Sequence, residues 1–146
     1  MALLDRFTDP LDSARRALAE CEAALRHRSR ERDAVDYAFT LANKGLAHSR
    51  LAASDESHMS QAEQAYGQAL DALPPDAHPA LLGRIHYNLT GALLEAADRR
   101  PEARDEYLER AEASARGPRL PGRAPDHRRC MVSRAAASTW ASWWPL

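Results

Sequence analysis

The sequence is poor in the residues that build sheets: two valines and one isoleucine stand among 146 residues, and aromatics supply 6%. A pleated, half-buried surface selects β-branched and aromatic side chains, so their scarcity argues against a β-rich fold. Cysteine is nearly absent as well. Cys21 and Cys130 are too few to make a disulfide framework, which fits a reducing compartment. No apolar run approaches the roughly 20 residues of a membrane-spanning helix. The stretch from Met1 to Arg6 lacks a basic segment followed by a long apolar one. Charge of one sign is not in excess either, since the formal net charge is −1. These absences lead to the expectation of a soluble, cytoplasmic protein with no transmembrane segment and no global bias toward nucleic acid.

What is present is helix-forming material. Hydrophobic residues make up 45% of the chain, most of them alanine and leucine, both strong helix formers. The length suits one domain, but the near-neutral total hides two kinds of material. Residues 1–116 hold fifteen Lys and Arg against twenty Asp and Glu, a balance of −5. Residues 117–146 hold five arginines against Asp126, a balance of +4, and contain all three tryptophans within the last seven positions.

The order of residues contains a repeat, and a missed repeat mis-assigns a whole fold. Ala62-x3-Tyr66-x2-Ala69-Leu70 is echoed 45 residues earlier by Ala17-x3-Cys21-x2-Ala24-Leu25, and 41 residues later by Ala103-x3-Tyr107. Between the copies runs a second theme. Asn43-Lys44-Gly45-Leu46-Ala47 matches Asn88-Leu89-Thr90-Gly91-Ala92, again 45 residues on. Positions i, i+4, i+7 and i+8 share a helical face. A small residue one turn before a large one lets a neighbouring helix come close while the large side chain fills the next gap. Ala17, Ala62, Ala69 and Ala103 then form hollows, Cys21, Tyr66 and Tyr107 knobs, and Gly45 a point of close contact. Two helix types alternating at this period predict an all-α fold of antiparallel helix pairs, a short α-solenoid.

Boundary signals divide the chain. Helices are predicted over 11–28, 34–53, 60–73, 79–97 and 102–116. Asp12 and Ser13 stand near the first start, and Asp33 caps the second helix. Ser60-x-x-Glu63 offers a capping box for the third, after a polar loop from Ser54 to His58. Pro74-Pro75 end it, Pro79 opens the fourth after Asp76 as cap, and Pro101 suits the first position of the fifth. Residues 1–116 thus form the repeat module, 117–125 a Pro/Gly/Arg linker, and 126–146 an Arg/Trp tail. Pro125 lies 46 residues after Pro79, so residues 126–141 are readable as a degenerate further copy of the Asn-bearing helix.

This pattern resembles the tetratricopeptide repeat. In that family the second helix of each repeat carries Ala, an aromatic at +4, Ala at +7 and Pro at +12, the spacing of Ala62, Tyr66, Ala69 and Pro74. The first helix carries a small residue after a Leu. Gly45 fits that place but follows Lys44, while Leu89 fits but is followed by Thr90. The longer period resembles that of large bacterial signalling and regulatory proteins, some of which carry a caspase-like protease domain after the repeats. The resemblance covers residues 11–116. It implies a non-catalytic scaffold or adaptor whose first helices line a groove for an extended or helical peptide. The groove positions would be Phe39, Ala42, Asn43, Leu46 and Arg50, then Arg84, Tyr87, Asn88 and Gly91. Asn can donate to and accept from a peptide backbone, and Arg84 can pair with a carboxylate. The alternative for Asn43 and Asn88 is that they pack between repeats or face water.

Chemistry of other kinds has little support in the residues. Six histidines invite a metal, but none pair at i,i+4 on a helix, and His127-x2-Cys130 has no second pair. Solvated or packed histidines are the simpler reading, and no metal or cofactor is expected. Neither Gly-x-Ser-x-Gly nor a Gly-rich phosphate loop occurs, so the chain reads as a non-enzyme whose partner is another protein or peptide. The tail has three readings: a cap folded back on the last helix, a segment driving self-association or contact with an anionic membrane surface, or an unordered end.

Overall fold

The computed structural model describes residues 9–74, 76 and 78–116. The expected linker and the expected helix over 126–141 lie outside them. Among the described residues the chain is all-helical and has no strand. Its elements are α1 (Pro10–Leu25), α2 (Ala34–Leu51), α3 (Ser57–Ala72), α4 (Pro79–Arg99), a 3-10 turn (Pro101–Ala103) and α5 (Arg104–Arg116).

Local chemistry explains most of the boundaries. Pro10 opens α1 behind Asp9, whose carboxylate accepts the Leu11 amide at 3.0 Å. Asp33 caps α2 as expected, accepting from the Asp36 amide at 3.0 Å. The first helix ends at Leu25, short of Arg28, in a turn where the amides of His27 and Arg28 share the Ala24 carbonyl, at 3.1 Å each. The Arg28 guanidinium then reaches α2 and donates to Thr40 Oγ1 at 2.5 Å.

The start of α3 departs from expectation. It begins at Ser57, and the Ser60–Glu63 pair does not form a capping box. The Asp55 carboxylate accepts the Ser57 amide at 3.0 Å, and the Ser60 hydroxyl donates to the Ser57 carbonyl at 3.1 Å. Glu63 pairs with Arg110 on α5 instead. Glu56 also leaves the solvated-loop role, since its carboxylate accepts from Tyr107 OH at 3.2 Å and from Arg99 Nε at 3.4 Å. At its other end α3 stops at Ala72. Leu73 is extended (φ −92°, ψ 135°), the conformation a following proline imposes. Before α4 stands His78 in the left-handed region at φ 52°, with no side-chain cap.

Each helix packs on the next, and α2 also touches α4. One core cluster gathers Ala38, Leu41 and Leu46 of α2, Ala62, Tyr66 and Ala69 of α3, and Leu82 and Ile85 of α4. A second joins Ala52 and Met59 to Ala92, Leu93 and Ala96 of α4 and Ala111 of α5. Alanine supplies five of the eleven buried residues of the first cluster and four of the six of the second, so much of the cohesion comes from closely approaching backbones. The Tyr66 ring is the largest group with no exposure. It lies directly against Gly45, where an added Cβ would come within 2.9 Å of two ring carbons.

Candidate functional site

The open side of α2 and α4 is built from equivalent positions of the two Asn-bearing helices. Phe39 on α2 is 36% exposed, and the Arg84 guanidinium of α4 stands over its ring, 5.6 Å from the centroid. That separation suits a cation–π contact. Asn43 and Asn88, 45 residues apart, are both half-buried. Arg50 on α2 is half-buried, and its counterpart 45 residues on is Glu95, 3.9 Å from Arg99. Repeating sequence thus presents an aromatic, two carboxamides and charges of both signs along one side. Glu95 was not singled out in the sequence, although the period that relates Asn43 to Asn88 leads from Arg50 to it.

The other groove positions are placed differently. Leu46 is 6% exposed and belongs to the core cluster around Tyr66. Tyr87 is the most exposed large hydrophobic among the described residues, at 59%, and its counterpart on α2 is the buried Ala42. A Cβ built at Gly91 meets nothing within 4 Å, unlike one at Gly45. Among the packing positions, Ala62, Tyr66 and Ala69 are fully buried, Cys21 is 8% exposed, and Ala17, Ala103 and Tyr107 are half-buried. Burial, helped by the Glu20 charge, pushes the Cys21 thiol up and so keeps it neutral.

Behind the open side lies an unusual polar atom. The Tyr66 hydroxyl is buried and lacks a hydrogen-bond partner. Ser49 lies toward it but donates its own hydroxyl to the Leu46 carbonyl at 2.8 Å. Burial drives the phenol pKa well above its usual value, Ser49 and then Arg50 work against that, and Glu95 adds to it.

A histidine pair joins α2 to α3. His48 Nδ1 and His58 Nδ1 are 2.9 Å apart with ring centroids at 5.1 Å, so one nitrogen carries the proton and donates to the other. His48 is 3% exposed, and burial, followed by the His58 and Lys44 charges, holds its pKa below the ordinary imidazole value. Sequence spacing hid this pair because the partners sit ten residues apart, on the last turn of one helix and the first of the next. Among the described residues no group of three or more His, Cys, Asp or Glu side chains could hold a metal ion. Likewise none of their helices is long and apolar enough to cross a membrane.

Compared with family models, curated proteins and solved structures, the chain finds no match.

Proposed function

We propose that the chain is a short helix-pair repeat of the tetratricopeptide type that binds a peptide or partner protein along α2 and α4, without catalysis of its own. The observation that carries this reading is the half-exposed Phe39 ring under the Arg84 guanidinium, flanked by Asn43 and Asn88 at equal register. An extended peptide laid across two helices meets carboxamides able to bond its backbone in both directions. A guanidinium such as that of Arg84 matches the fork geometry of a carboxylate on that peptide. Phe39 supplies the apolar contact that interface centres favour. Two such helices make a short surface, so the affinity is modest. A cytoplasmic adaptor role in a bacterial regulatory protein follows from the resemblance and from the lack of any catalytic motif.

The test uses a displayed random-peptide library selected on the full chain. Enriched peptides should carry a carboxylate. Arg84→Glu, and Asn43→Ala with Asn88→Ala, should each weaken their binding about tenfold, the scale of a lost charged contact or of two neutral ones. The melting temperature should change little. Undiminished binding by all these variants would place recognition elsewhere. A large loss of stability would instead make Asn43 and Asn88 packing residues.

A further inference from the structure

Helices α2 and α4 carry the same theme at a 45-residue spacing, yet they are covered differently. Ten of the eighteen residues of α2 are buried, against six of the twenty-one in α4. The difference lies on one face. In α2, with α1, α3 and α4 packed around it, Ala38, Ala42 and Ser49 are 0%, 6% and 4% exposed. Their counterparts 45 residues on are Gly83, Tyr87 and Leu94, at i, i+4 and i+11 of α4, which is one side of a helix. Gly83 is exposed with nothing within 4 Å of an added Cβ, Tyr87 is 59% exposed and Leu94 is 37% exposed. The helix that follows α2 by one pair is α4, and the two touch. No described helix stands in that relation to α4.

We propose that the Gly83–Tyr87–Leu94 face of α4 is the docking surface for this chain's own residues 126–141, held there as a helix one repeat further on. Three features select this occupant over others. The first is period: α4 begins 45 residues after α2, and Pro125 lies 46 residues after the Pro79 that begins α4. The second is reach. The nine residues 117–125 can span about 30 Å, more than the roughly 20 Å length of a thirteen-residue helix such as α5. The third is complementarity. A balance of +4 in residues 117–146 meets −5 in residues 1–116, and Met131, Val132, Ala135 and Ala136 fall at spacings that share a helical side. A glycine beside an exposed tyrosine and leucine lets a helix backbone come close while the two large side chains fill its grooves. The docking does not depend on the peptide reading, which uses the side of α4 bearing Arg84 and Asn88.

Trp140, Trp143 and Trp144 are the chain's only tryptophans, so indole emission of the full chain reports only on the end of this segment and the few residues just past it. Emission should lie at shorter wavelength in the native protein than in denaturant. Leu94→Glu should shift it to longer wavelength and remove amide-exchange protection from residues 126–141, with far-UV helicity of the body retained and the protein monomeric by sedimentation. Should Leu94→Glu unfold the body, the milder Tyr87→Ser gives the same readout. Native emission already matching the denatured chain would overturn the proposal. So would short-wavelength emission indifferent to both substitutions. A dimer that either substitution dissociates would also overturn it, because the face would then belong to a second copy.

Discussion

At the scale of single residues, Tyr66 and Gly45 are one device seen from two sides. The ring fills the α2–α3 gap because position 45 has no Cβ. Tyr66→Ala should cost about 3–5 kcal/mol, as aromatic truncations in cores do, whereas Gln64→Ala on the exposed side of α3 should be near neutral. Gly45→Ala sets two effects against each other. Helix propensity gains about 1 kcal/mol, while overpacking against an immobile ring costs about 1–3 kcal/mol. With Tyr66 at 0% exposure the ring has nowhere to retreat, so a net loss is expected. Gly67→Ala, where an added Cβ meets nothing within 4 Å, should stabilise. Denaturant melts of the four variants check these signs together. The histidine pair makes a separate prediction. Because folding holds the His48 pKa down, its stabilisation is full above the unfolded-state value of about 6.5 and is lost as pH falls below it. His86, also lowered by burial, acts in the same direction. The melting temperature should therefore drop as pH falls below about 6.5, and His48→Gln should flatten that limb.

At the scale of elements, the sequence was most readable where one signal had no competitor. Asp33 alone precedes α2 and Pro79 marks the first position of α4, so those starts were found, whereas Pro101 opens a 3-10 turn and α5 itself begins only at Arg104. The start of α3 was misplaced because two signals overlap within nine residues. Ser60 and Glu63 have capping-box spacing, but Asp55 bonds the Ser57 amide first, and the helix is already under way at Ser60. Capping energetics separate the two: Asp55→Ala should cost about 1 kcal/mol, as lost N-terminal caps do, while Ser60→Ala should cost almost nothing. Equal losses would restore the capping box. The end of α1 was overrun because Arg26, His27 and Arg28 suit a C-terminal turn by charge. Nothing local foretold that Arg28 would leave the helix for Thr40. Contacts such as Glu56 with Tyr107 and Glu63 with Arg110 were illegible for a related reason. They join residues 51 and 47 positions apart, and no local pattern encodes which exposed acid will meet which base.

At the scale of the whole molecule, the alternation of two helix themes conveyed the all-helical architecture before any coordinates. Periodicity reports which residues share a face, and faces decide packing. It conveyed the open side less well. Leu46 and Tyr87 were grouped with Asn43 and Asn88 as lining residues, yet Leu46 is core and Tyr87 occupies the register of the buried Ala42. Which side of a helix faces a partner depends on how its neighbours are rotated about it, and the spacing of one helix does not contain that. What remains on the α2–α4 side is Phe39 under Arg84, with Asn43, Asn88, Arg50 and Glu95 around them, and the binding proposal rests on this group. Amide chemical-shift mapping of the full chain, titrated with a carboxylate-bearing peptide from the library selection, tests it most directly. The account predicts that the largest shifts cluster at Phe39, Asn43, Arg84 and Asn88, with α1 and the outer side of α5 unchanged. Shifts concentrated on α1 or α5, and absent from those four residues, would contradict it.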